Sequence, residues 1–170
     1  MSKDEELQQA ITQAASQLVH DATAKGLQLG TAESCTAGLV VASIADIPGA
    51  SVILKGGIVS YAITVKQAIL GVSKDIFATP ELGAVSAECA QQMANGAVKA
   101  LSCDVAVSVT GIAGPGGAQP GKPVGTVWFG LSSSQMVRSL CCHFDGGRMM
   151  VRKQAVLQAL QLLLEAVHEF

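Results

Sequence analysis

Charge is scarce in this chain. Asp, Glu, Lys and Arg make up 14% of 170 residues, the net charge is −2, and the 11 basic residues form no cluster. A nucleic-acid-binding module needs several phosphate-neutralising cations along one face, so that class is not expected. Long apolar runs are missing too, none approaching the roughly 18 residues of a membrane span. The acidic start, Met1-Ser2-Lys3-Asp4-Glu5-Glu6, lacks the apolar core of a signal peptide. Cysteines number five, an odd count with no C-x-x-C pair, which speaks against a disulfide framework or a zinc site. A reduced, cytoplasmic protein is the expectation. Histidine is rare at three, so a Ser-His-Asp triad has few bases to draw on.

What is present is a 49% apolar chain, poor in aromatics, that packs Ala, Val, Leu and Ile into a dry core. Its length suits one domain over residues 1–170. Leu7, Ile11, Ala14 and Leu18 recur at helical spacing, predicting an amphipathic helix over about 4–25. Residues 26–30 read as a short strand, 39–45 as a helix stopped by Pro48-Gly49, and 58–61 as a second strand entered through two glycines. Thr64 is expected to cap a helix reaching Gly71, and Ser86 another ending near Leu101. Val105–Val109 reads as a buried strand, followed by a Gly/Pro loop to about Pro123. Residues 125–131 and 136–144 form a hairpin pair, and a helix runs from Arg148 to about Val167. The order implies an α/β fold, a three-layer α/β/α sandwich whose mixed sheet carries an antiparallel pair late in the chain.

Three constellations carry chemistry. Thr31-Ala32-Glu33-Ser34-Cys35-Thr36-Ala37-Gly38 is a polar elbow between strand and helix, where free N–H groups favour negative charge. Thr36 is expected to cap the helix, which leaves Ser34 free to face a pocket. Cys35 is a rival nucleophile, but adjacent side chains point in different directions, and Ser34 is preferred. Serine needs a base, and Lys66, in the first turn of a helix whose dipole lowers its pKa, can serve. Tyr61, the one tyrosine, enters the same corner as a proton relay or as a core residue. Thr110-Gly111-Ile112-Ala113-Gly114-Pro115-Gly116-Gly117 follows the buried strand, where such loops offer bare N–H groups to an anion. Arg148 and Arg152 lie four apart at a helix start, an arrangement that suits a phosphate.

Taken together these residues resemble the CinA C-terminal-domain family, the nicotinamide-nucleotide amidases. The matching motifs are Ala32-Glu33-Ser34-Cys35-Thr36-x-Gly38, Asp46-Ile47-Pro48-Gly49-Ala50-Ser51, and Gly57-x-Val59-x-Tyr61 followed by Lys66. Gly83-Ala84-Val85-Ser86, Thr110 to Pro115, Lys122 to Val127, and Phe144-x-Gly146-x-Arg148 with Arg152 complete the set. The family commonly carries glycine where Ala37 stands, and polar residues where this chain has Ile63-Thr64-Val65. The resemblance implies hydrolysis of nicotinamide mononucleotide to nicotinic acid mononucleotide and ammonia, without metal or organic cofactor. It implies Ser34 as nucleophile and Lys66 with Tyr61 as base and proton relay. Glu33, Cys35, Thr36, Thr110 and Gly111 would line the substrate site, and Arg148 and Arg152 would meet the 5′-phosphate. The expected partner is thus a small nucleotide, with no nucleic acid and no membrane, and the apolar composition suits a homodimer. The alternative is a catalytically weak nucleotide-binding paralogue, or a partner protein in competence or DNA damage.

Overall fold

A computed structural model describes residues 1–170. In chain order the elements are α1 (Lys3–Lys25), β1 (Leu29–Glu33), α2 (Leu39–Ala45), a short 3₁₀ turn (Ala50–Val52), β2 (Leu54–Val59), α3 (Ile63–Leu70) and α4 (Lys74–Ala78). Then come α5 (Ala87–Leu101), β3 (Val105–Gly111), β4 (Thr126–Ser133), β5 (Val137–His143) and α6 (Arg148–Glu169). The sheet order is β2-β1-β3-β4-β5. The first three strands in that order are parallel, and β4 and β5 are antiparallel to their neighbours, so the sheet is mixed as expected.

Side-chain alternation along β3 sets the two layers that cover the sheet. Val105, Val107 and Val109 join a 28-residue cluster with α1, α2 and α6. Ala106 joins a 9-residue cluster with α3, α4 and α5, and Ser108 bonds the Ala90 carbonyl of α5 on that same side. Large aliphatics thus fill one interface, while small residues let α5 lie close on the other. Gly130 of β4 is required there, because a Cβ would overlap the Ala90 carbonyl oxygen.

Four local readings need correction. The strand expected at 26–30 is β1 at 29–33, so Thr31, Ala32 and Glu33, read as part of the elbow, lie in the strand. The strand expected at 58–61 is β2 at 54–59, and the two glycines lie inside it. Gly57 can do so because a side chain there would collide with Thr31 and Val41. Ser60 and Tyr61 lie past the strand, so their carbonyls are not used by the ladder. Thr64 does not cap α3: the N-cap is Ala62, which has no side-chain bond to give. The five-residue α4 was not foreseen, being too short to show a period. At the other extreme α1 starts where a capping box forms, Ser2 accepting from the Glu5 N–H while Glu5 accepts from Ser2.

Candidate active site

Ser34 stands at the end of β1, its own N–H extending the ladder to the Val109 carbonyl at 2.8 Å. The chain then turns sharply, Ala37 donating back to the Ser34 carbonyl at 3.1 Å, before α2 begins. Ala37 and Gly38 take left-handed φ values of 50° and 96° to make this turn. Glycine takes such values without strain, so Gly38 is at ease while the Ala37 backbone is strained.

The cap of α2 is neither Ser34 nor Thr36. The Glu33 carboxylate accepts the N–H groups of Gly38, Val40 and Val41 at 2.8–3.0 Å, and the Thr31 hydroxyl at 3.0 Å. Glu33 is wholly buried with its oxygens engaged. It therefore acts as the internal anion of this helix start, not as a residue that meets substrate. The Thr36 hydroxyl, expected as the cap, is enclosed without a partner.

Lys66 is the fourth residue of α3 and only 1% exposed. Its Nζ lies 2.8 Å from Ser34 Oγ, 2.6 Å from the Ser60 carbonyl oxygen and 3.0 Å from that of Tyr61. It forms no ion pair. Burial therefore holds its pKa below the ordinary lysine range, the direction expected from the sequence, and the largest cause is desolvation. The neutral amine fits this nest well. Two N–H bonds donate to the two carbonyls, and the lone pair is left for the Ser34 hydroxyl proton. Ile63, Thr64 and Val65 give Lys66 no polar support because the backbone just past β2 supplies it.

Tyr61 is 58% exposed, and only its carbonyl reaches Lys66. Its phenol oxygen instead accepts from Arg148 Nη2 at 3.1 Å. A relay through the phenol does not match that placement. Arg148 Nη1 donates to the Gly114 carbonyl at 2.8 Å, so the arginine ties the tyrosine to the Gly/Pro loop at the mouth of a cleft. The cleft holds about 250 Å³ and is lined by Ser34, Cys35, Val85, Gly111, Ile112 and Arg148, among others. A larger hollow of about 360 Å³ opens between β5 and α6, but its one hydroxyl, Ser139, accepts from Gln91 of α5 at 3.0 Å, and its one acid, Glu165, pairs with Arg138 at 3.6 Å.

The remaining expected residues separate. Gly111 lines the cleft, whereas the Thr110 hydroxyl turns to the Ala84 carbonyl at 2.7 Å. Arg152 does not share an anion site with Arg148. One turn further along α6, its Nε donates to the Cys35 carbonyl at 2.9 Å and its Nη2 to the Thr36 carbonyl at 3.1 Å. Cys35 borders the cleft but is 5% exposed, and burial pushes its thiol up to about 11. A thiol so raised stays protonated near neutrality and is a poor nucleophile. Sequence reasoning missed the Ser60 and Tyr61 carbonyls, for which no side-chain pattern exists. It also missed the role of Glu33, although an acid just before a helix start was a usable signal.

Comparison with known proteins places this arrangement in a family. Residues 11–167 match the CinA C-terminal domain. A CinA-like protein of Leptospira borgpetersenii is 48% identical over 142 residues, covering 83% of this chain and 34% of that protein. A CinA-like protein of Fervidobacterium nodosum is 43% identical over 80% of this chain and 33% of its own length. The chain thus spans about a third of the length of these curated relatives. Among solved structures, a competence-damaged protein (CinA) superfamily protein from Klebsiella pneumoniae superposes with a TM-score of 0.89 at 29% identity, covering 94% of this chain and 99% of that one. A competence/damage inducible protein from Agrobacterium tumefaciens gives 0.86 at 38% identity over 94% and 96%. No helix is long and apolar enough to cross a membrane. The chain belongs to the CinA C-terminal domain family.

Proposed function

We propose that this chain is a serine amidohydrolase that deamidates nicotinamide mononucleotide. The observation that carries this reading is the 2.8 Å contact between Ser34 Oγ and the enclosed, unpaired Lys66 Nζ. Lys66 takes the hydroxyl proton as Oγ attacks the carboxamide carbon, and a tetrahedral oxyanion forms. The proton passes from Nζ to the leaving nitrogen, the C–N bond breaks, and ammonia departs from an ester on Ser34. Water, deprotonated by Lys66, then hydrolyses the ester to carboxylate and restores the hydroxyl.

The N–H groups of Cys35 and Thr36 directly follow the nucleophile and have no acceptor within the chain, which suits them to the oxyanion. Those of Ala113, Gly114, Gly116 and Gly117 are equally unengaged on the opposite wall. Val85 and Ile112 offer apolar walls to the pyridine ring. The cleft is smaller than the roughly 300–1,000 Å³ of pockets that enclose a whole ligand. The ring would thus enter while the phosphate stays at the mouth, where Arg148 retains a free Nε–H.

Ammonia release from nicotinamide mononucleotide tests the reading. The Ser34→Ala protein is expected to release none, and Arg148→Gln to raise KM with little change in kcat. Full activity in Ser34→Ala, or no release by the unmodified protein, overturns it.

A further inference from the structure

We infer that Arg152 is a positioning residue that holds the oxyanion-binding peptide of the Ser34 elbow, and that it makes no contact with substrate. The inference rests on the serine-nucleophile reading above. A trans peptide is planar, so the C=O of one residue and the N–H of the next point in opposite directions. The Cys35 carbonyl has a single partner, Arg152 Nε at 2.9 Å. That bond sets the Cys35–Thr36 plane and turns the Thr36 N–H away from the guanidinium, with nothing in the chain to accept it. The preceding plane is set separately, because the Ser34 carbonyl accepts the Ala37 N–H and the Cys35 N–H faces the other way.

Both N–H groups behind the nucleophile are therefore free and individually oriented. The first is held by the local turn, the second by a side chain from the last helix. Arg152 Nη2 also grips the Thr36 carbonyl, so the planar fork spans two successive peptides. Its Nη1 rests on Met149 Sδ at 3.4 Å, which uses every nitrogen of the guanidinium. Glu33 holds the far end of the elbow by accepting the Gly38 N–H at 2.9 Å. Three of its five N–H donors, the whole Nε edge included, are thus spent inside the chain, whereas Arg148 at the mouth keeps its Nε–H free.

Arg152→Lys and Arg152→Gln proteins, confirmed folded by thermal unfolding, test the inference against Arg148→Gln as a control. The first assay follows ammonia release from nicotinamide mononucleotide and from its dephosphorylated riboside. The expected result is a kcat lower by roughly 10²-fold on both substrates, with KM within twofold and the pH midpoint for Lys66 unchanged. A rise in KM confined to the phosphorylated substrate would show Arg152 binding phosphate and overturns the inference. The second assay labels Ser34 with a fluorophosphonate. There an Oγ–P bond forms, fluoride leaves, the proton goes to Lys66, and the phosphoryl oxygen occupies the oxyanion site. Slower labelling in both Arg152 proteins supports the inference even if the nucleotide is not turned over, so failure of the substrate assignment is distinguishable. Labelling at the unmodified rate overturns it, and no labelling of Ser34 in the unmodified protein overturns both readings.

Discussion

Replacement of Lys66 by Met isolates the base. Methionine keeps most of the side-chain volume and removes the nitrogen. The Ser60 and Tyr61 carbonyls have Lys66 as their one partner. Tyr61 is open to water, so the loss falls chiefly on the buried Ser60 carbonyl and costs about 1–3 kcal/mol of stability. Loss of a general base lowers the rate by roughly 10²–10⁴-fold, which at 1.36 kcal/mol per decade is about 3–5 kcal/mol of transition-state stabilisation. The ammonium form spends all three N–H bonds on oxygens and cannot accept the Ser34 proton. In the unmodified protein kcat/KM therefore rises with pH as Lys66 deprotonates, with a midpoint below the ordinary 10.5 that burial depresses. Stability carries the same sign. Between the lowered native pKa and 10.5 the unfolded chain holds more protons, so stability rises with pH across that window; below it the slope vanishes. The assays are ammonia release across pH and denaturant unfolding at matched pH. An ascending limb that persists in Lys66→Met, or activity within a few-fold of the unmodified protein, refutes the assignment of the base.

Other substitutions probe the surroundings of the site. Cys35→Ala is expected to retain most ammonia release, and the Cys35 thiol, pushed up to about 11, to resist iodoacetamide near neutral pH; loss of activity on alkylation of that thiol would move the nucleophile to Cys35. Ala37→Gly relieves a left-handed φ of 50° worth about 1–2 kcal/mol at the cost of roughly 0.5–1 kcal/mol of backbone entropy. Denaturant unfolding should show a net gain of up to about 1.5 kcal/mol, and a loss contradicts the strain. Gly130→Ala drives a methyl into the Ala90 carbonyl and should destabilise by about 1–3 kcal/mol or more, read as a lower midpoint of thermal unfolding. An unchanged midpoint would mean that α5 can move off the sheet.

Much of the layout was legible because it is written in short-range periodicity. The helices α1, α5 and α6, the buried β3 and the antiparallel β4–β5 pair appeared within a few residues of their observed bounds. Errors gathered where pattern is silent or crossed. The glycines of β2 looked like an entry loop because the lack of a Cβ at Gly57 reports on Thr31 and Val41, which are distant in sequence. Thr64 and Thr36 looked like caps because hydroxyls cap helices on average, whereas here α3 starts at Ala62 with no side-chain cap and the Glu33 carboxylate caps α2. The two arginines looked like a pair because spacing puts them on one face. The elbow carbonyls and the Tyr61 phenol then drew them to different tasks.

The sequence by itself determined the α/β order, the elbow that carries Ser34, and which residues have the chemistry to act. Those follow from hydrophobic alternation and from residue type, which neighbours along the chain decide. The tertiary structure alone decided that Lys66 lies enclosed without an acid, 32 residues from the hydroxyl it meets, and that Arg152 grips a peptide 117 residues away. A side chain's charge state and aim depend on what surrounds it once the layers close, and those surroundings come from remote segments.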